Sequence, residues 1–119
     1  MISRYGAGAI VIVDWRAGAQ PNEPSKLRPA VVVEDHELFP LEYPNTIVVP
    51  LTRDEGLAHR SFAERIEPTD GNGVEATCWA LAHHVTSVSL RRVNPTPSYI
   101  SAEQLASIRQ RMAGALGIG

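Results

Sequence analysis

The stretch PSKLRPAVVV, residues 24 to 33, places Lys26 and Arg28 directly before Pro29 and the most apolar run of the chain. A following proline biases Arg28 toward extended backbone, and Pro21 and Pro24 brace the loop before it, so the guanidinium leaves the chain from a stiff position. A planar guanidinium so placed suits a two-pronged grip on an anion, above all a phosphate. The residues alone leave a second reading open, in which Arg28 covers a strand end and pairs with Glu23 or another carboxylate.

Thr52 and Arg53 fall where a later apolar run, TIVVPL, stops, so a hydroxyl donor and a second cation follow one another at a strand end. His83 and His84 are adjacent in ATCWALAHHV, which reads as a strand. Their side chains are therefore expected on opposite faces, unable to share one metal ion. Cys78 is the only cysteine. It excludes an intrachain disulfide, lacks the companion ligands of a zinc site, and reads as a small buried hydrophobe. The chain has no Gly-rich phosphate loop with Lys-Ser/Thr, no GxSxG, no HExxH and no GxGxxG after a strand, so neither metal nor cofactor is expected.

The elements that must position these groups are short. IVIVDW (10 to 15), AVVVED (30 to 35) and TIVVPL (46 to 51) read as strands, with Pro50 suggesting an edge or a strand end. A loop rich in Gly and Pro, RAGAQPNEPSKL, separates the first two, and a two-proline connection, ELFPLEYPN, separates the next two. HRSFAERIEP alternates with period 2, which sets Phe62, Glu64 and Ile66 against Ala63, Arg65 and Glu67. TDGNG reads as a turn, and no element is assigned to NPTPSYI. SAEQLASIRQRMAGALG opens with a capping box from Ser101 to Gln104, carries Leu105, Ile108, Met112 and Leu116 on one stripe, and ends at Gly117. Five or so strands and one terminal helix predict a mainly β fold, a small, partly closed barrel or curled sheet with the helix over one face. Trp15 and Trp79 lie in strand-like runs, where burial in a core or a dimer interface is expected over base stacking.

At 119 residues the chain is expected to form one domain, and 44% hydrophobic with 20% charged residues is a globular composition. A net charge of −2 gives no overall basic footprint, so any polyanion site must be local. The longest apolar runs are about six residues against the roughly 20 that cross a bilayer, and the start has no secretory cleavage pattern; a cytoplasmic protein is expected.

Taken in order, GAIVIVDW, a Pro/Gly loop, EPSKLRPAVVVEDH, TIVVPLT, WALAHHVTSVSLRRV and a terminal helix resemble the MazF/PemK family of toxin endoribonucleases, from about Gly8 to Leu116. The resemblance implies an SH3-like β-barrel of the CcdB/MazF type, a homodimer, and a cognate antitoxin that silences it. It also implies metal-free cleavage of single-stranded RNA by its own 2′-hydroxyl, leaving a 2′,3′-cyclic phosphate and a 5′-hydroxyl. By resemblance Arg28 matches the catalytic arginine and Thr52 its partner threonine; Glu23, Lys26, Arg53 and His59 are expected in loops flanking the same end of the barrel, and His84 and Thr86 are further candidates for binding RNA.

One segment departs from the family pattern. Where many members carry an acidic residue, Gln, Val or Ile, and Arg, this chain has His83, His84, Val85 and Thr86. Either His84 or Thr86 takes over, a histidine even serving as base, or the activity is weak or directed elsewhere. Two alternatives stay open: a barrel that only binds a partner, and a CcdB-like poison of DNA gyrase acting through the helix end, here ALGIG.

Overall fold

A computed structural model describes residues 5–15 and 27–118. Among the described residues there are seven strands and one α-helix: β1 (Ala9–Asp14), β2 (Leu27–Val32), β3 (Asn45–Thr52), β4 (Ala63–Ile66), β5 (Cys78–Leu81), β6 (Thr86–Ser89), β7 (Val93–Tyr99) and α1 (Ala102–Ala115). The strands pair antiparallel in the order β4-β5-β3-β2-β1-β7, with β6 added to β3.

The apolar runs of β1, β2 and β3 are continuous because both of their faces are buried. Alternate residues enter two separate cores. Ile10, Val31, Val33, Val49 and Leu51 pack with Ile66, Cys78, Ala80 and Ile108 of α1. Val11, Val13, Ala30, Val32 and Val48 pack with Val88 of β6 and Val93 of β7, and Trp15 lies partly buried against them. Cys78 is buried, as its reading as a small hydrophobe requires.

Four elements differ from the sequence expectations, each for a local reason. β3 is a central strand although it contains Pro50. Its residues Asn45 to Val48 pair with β6, and Leu51 and Thr52 pair with β5, so the proline falls where the neighbour changes and its missing N–H leaves no bond unmade. ATCWALAHHV forms a strand only over Cys78–Leu81; a 3-10 turn at Ala82–His84 then redirects the chain into β6. HRSFAERIEP contributes only the edge strand β4, in which Ala63 and Ile66, three apart, are the buried residues. NPTPSYI belongs to a strand, β7, which ends the sheet and so tolerates Pro95 and Pro97. Its register against β1 slips by two residues between Ala9↔Tyr99 and Val11↔Pro95. Within the slip the Thr96 hydroxyl donates to the Ile10 carbonyl and accepts the Ser98 N–H at 3.1 Å.

The ends of this path do not pair with one another, so the sheet is curled and unclosed. The connection between β4 and β5 spans the gap: the Tyr99 N–H donates to the Gly71 carbonyl at 3.1 Å. Gly73 sits there at φ +63, and a Cβ on it would lie 2.3 Å from Ser98 Oγ, so glycine is required. The expected class, mainly β with a terminal helix, holds.

The helix begins as its sequence signals. Ser101 Oγ accepts the Gln104 N–H at 3.1 Å, and Gln104 Oε1 accepts the Ser101 N–H at 3.0 Å. It ends with the Gly117 N–H on the Gly114 carbonyl and the Ile118 N–H on the Ala113 carbonyl, with Gly117 at φ +74. Leu105, Ile108 and Met112 face the core, whereas Leu116 is the C-cap and is 64% exposed. Arg109 Nε donates to the Val33 carbonyl at 3.0 Å and ties the helix to the end of β2. Ile108→Ala should therefore cost about 2–5 kcal/mol in urea unfolding, and Leu116→Ala within about 0.5 kcal/mol.

Candidate functional site

The register that pairs Val31 with Val49 and Ala30 with Pro50, carried two residues further, sets Arg28 opposite Thr52. There the doubly buried ladder reaches the surface and opens into a cleft of about 720 Å³. Arg28 is exposed and donates from Nη1 to the Leu27 carbonyl at 3.0 Å. Thr52 Oγ1 accepts the Asp54 N–H at 3.0 Å, which fixes the hydroxyl oxygen and leaves its proton to donate. The Asp54 side chain in turn accepts the Gly56 N–H at 2.9 Å and caps the 3-10 turn Glu55–Leu57. Each turn fixes the one before it.

Arg53 also lines the cleft, with its Nη2 3.7 Å from Glu75 Oε2. The two side chains are 64% and 88% exposed, so the pair is weakly coupled. Ile10, Ile12, Leu51 and Cys78 make the cleft's surface largely apolar beneath these charges. Burial pushes the Cys78 thiol up, opposed by the nearby Arg53 charge and reinforced by Glu67, which keeps it a protonated thiol and a poor nucleophile.

One wall was not legible as a site residue by residue: the connection from Asn72 to Glu75. Asn72 is 2% exposed. Its Oδ1 accepts the Thr69 and Val74 N–H groups, both at 3.0 Å, and its Nδ2 donates to the Glu67 carbonyl at 2.8 Å. An amide so fully satisfied holds the wall rigid. TDGNG signals the turn, but nothing in the sequence distinguishes this asparagine from a solvated one.

His59 and His84 lie elsewhere, outside the cleft lining. Because residues 82 to 84 form a turn instead of a strand, the His83 and His84 rings do not part to opposite faces; their centroids are 4.3 Å apart. Phe62 stacks on His59 at 4.9 Å and lies 5.9 Å from His83. His59 Nδ1 accepts the Ser61 N–H at 3.2 Å. Arg111 of α1 donates to the Arg60 and Ser61 carbonyls at 3.2 and 3.0 Å and to Glu64 at 3.1 Å, which clamps this loop to the helix. Among the described residues no group of three His, Cys, Asp or Glu could hold a metal. Thr86, exposed on β6, pairs with Val48, four residues back along β3 from Thr52. The structure thus brings Arg28, Thr52 and Arg53 together and leaves His59, His84 and Thr86 apart from them; Glu23 and Lys26 lie outside the described residues.

A family model described as PemK-like, MazF-like toxin of type II toxin-antitoxin system matches residues 7–116. No curated protein matches the chain. Among solved structures, a MazE-MazF complex from Deinococcus radiodurans superimposes with a TM-score of 0.74 at 24% identity, covering 97% of each chain. The Mycobacterium tuberculosis toxin MazF-mt6 gives 0.73 at 14% identity, over 93% of this chain and 98% of that one. An endoribonuclease from a mycobacterial species, solved with its cognate antitoxin, gives 0.69 at 13% identity over 98% of both. At these identities the likeness establishes a shared fold.

The histidine cluster sets a pH dependence. Desolvation against its neighbours, then the His84 and His59 charges, push His83 below its ordinary value near 6.5, opposed by a hydrogen bond to the Phe62 backbone. A histidine depressed in the folded state contributes stability that is complete above about pH 6.5 and is lost as the pH falls below it. The melting temperature should hold steady from pH 8 to 7 and decline from about 6.5 toward 5, and His83→Gln should flatten that decline in a thermal-unfolding series.

Proposed function

Because the chain belongs to the PemK-like, MazF-like family of type II toxins, we propose that it is an endoribonuclease that cuts single-stranded RNA without a metal, acts as a homodimer, and is held silent by a cognate antitoxin. The observation that carries this reading is the meeting of Arg28 with Thr52 at the mouth of one cleft. The mycobacterial relative described as an endoribonuclease with its cognate antitoxin, and the MazE-MazF complex, support the activity and the partner.

The chemistry asks little of the protein, because RNA carries its own nucleophile. The 2′-hydroxyl attacks the adjacent phosphorus, a dianionic phosphorane forms, and the 5′-oxygen leaves, giving a 2′,3′-cyclic phosphate and a 5′-hydroxyl. Arg28 supplies a fixed pair of N–H donors to the phosphorane oxygens, where charge grows during the reaction. Its second role is to protonate the leaving 5′-oxygen. Thr52 donates its free hydroxyl proton to a third phosphate oxygen, and Arg53 adds charge that draws the strand in. These cations oppose a net charge of −2, so attraction for RNA is confined to the cleft. Lys26, two residues before Arg28 in the sequence, is a further cation for RNA, and Glu23 keeps its expected role in binding it.

No helix among the described residues is long and apolar enough to cross a membrane. Within one protomer His84 and Thr86 do not reach the cleft lining, so the reading places no catalytic step on them. His59 and His84 keep a role in binding RNA that runs past the cleft.

Incubation with a long structured RNA in EDTA tests the reading. The wild-type protein should leave 2′,3′-cyclic phosphate ends; Arg28→Ala should slow cleavage by about 10²–10³-fold and Thr52→Val by about tenfold. Arg28→Lys should recover little, because an ammonium cannot grip two oxygens at once. Intact RNA from a folded wild-type protein that still binds its antitoxin would make the chain a binding module instead.

A further inference from the structure

The proposed reaction leaves one proton without a destination. As the 2′-oxygen attacks, its proton must pass to a base, and the groups assigned so far cannot take it. Arg28 is already ionised at neutral pH. The oxygen of Thr52 accepts the Asp54 N–H and keeps a proton that it donates. Thr96 gives its proton to the Ile10 carbonyl and accepts the Ser98 N–H. The Asn72 amide is spent on its own loop, and the Cys78 thiol is buried. Among the described residues that line the cleft, one carboxylate remains, that of Glu75.

We propose that Glu75 is the catalytic base of the ribonuclease reading above, accepting the 2′-hydroxyl proton as the 2′-oxygen–phosphorus bond forms. The inference rests on that reading. A carboxylate at a polyanion site repels the substrate, so an acidic residue among the three charged side chains lining this cleft calls for a compensating role. Its placement fits one. Glu75 follows Val74, whose N–H is fixed by Asn72 Oδ1, and Gly73, which is seated against Ser98 with no room for a side chain. The backbone that presents the carboxylate is therefore rigid while the carboxylate itself is open to a ligand.

Arg53 Nη2 lies 3.7 Å from Glu75 Oε2, beyond hydrogen-bond reach, so the carboxylate keeps its accepting capacity. Glu75 comes from the β4–β5 connection and Arg28 from β2, so base and acid reach the phosphate from different walls. An in-line displacement needs that separation, since the proton leaves at the attacking oxygen and arrives at the departing one.

The step balances. The 2′-oxygen bonds to phosphorus and its proton moves to a Glu75 oxygen. The phosphorus–5′-oxygen bond breaks, and the leaving alkoxide, a stronger base than neutral guanidine, takes a proton from Arg28. Exchange with water returns both side chains to their starting states.

The test compares wild type, Glu75→Gln, Glu75→Asp and Arg28→Ala on one RNA oligonucleotide under single-turnover conditions. Binding is measured in parallel with the same strand carrying a 2′-deoxy sugar at the scissile position. Glu75→Gln should cut about 10²–10⁴-fold more slowly and bind the deoxy strand at least as tightly, and Glu75→Asp should recover part of the rate. Glu75 is exposed, so a melting curve matching wild type is expected for each Glu75 variant. A Glu75→Gln protein that cuts as fast as wild type, or whose slower cutting is matched by weaker binding, overturns the role of Glu75 alone. A wild-type protein that cuts nothing overturns the ribonuclease reading and this step with it.

Discussion

Val11, Val13, Val31, Val32, Val48 and Val49 have no solvent exposure, and they alternate between two cores on opposite faces of the same three strands. A sheet buried on both sides must be covered twice, and the described residues offer one α-helix for the purpose. α1 covers one face through Ile108 and its neighbours; the other face is covered by the sheet itself, as β6 and β7 bring Val88 and Val93 over it. The curl thus lets a small chain hide its apolar strands on both faces, and at an order of 25 cal/mol per Å² of apolar surface that burial outweighs any single polar contact described above.

A curled sheet with unpaired ends leaves a gap, and the gap explains where polar chemistry gathers. The connection from Glu67 to Glu75 crosses it on hydrogen bonds centred on Asn72, and β7 meets it through the Gly71 carbonyl. On the other side the β2–β3 ladder runs out of apolar residues at Arg28 and Thr52. The cleft between has an apolar lining because it is the edge of a core, and charged lips because the strands end there. A chain with an overall negative charge can in this way hold two arginines at one cleft.

Much of this was legible in the sequence, and the rest failed for identifiable reasons. β1 to β3 are written as unbroken β-branched runs, and α1 carries both its capping signals, so local pattern and tertiary role agree. β7 was hidden because two prolines normally exclude a strand; its Thr96 hydroxyl replaces a ladder donor, a substitution that depends on the partner strand's Ile10. The break between β5 and β6 was hidden because Ala82 is buried like the strand residues before it, so the burial pattern does not mark the turn. Arg28 and Thr52 could be singled out because each stands at the end of an apolar run. Asn72 and Glu75 could not, because they reach the cleft only through a loop that docks on a strand more than twenty residues later.

The histidine pair shows how the fold alters the meaning of a substitution. Read as strand residues, and by resemblance to the family, His83 and His84 take the place of an acidic residue and a glutamine, which removes charge from the site. In the structure they occupy a turn beneath α1, their rings packed together with His59 and Phe62, while the loop beside them is clamped by Arg111. Two charged side chains at this place, one acidic and three residues on one basic, would have to find partners in water or in a second subunit. In the turn the two imidazoles meet edge to face, and His83 makes tilted and edge contacts with Phe62 and His59. The histidines therefore bear on the β5–β6 turn and its contact with the helix, and they lie outside the lining of the Arg28 cleft.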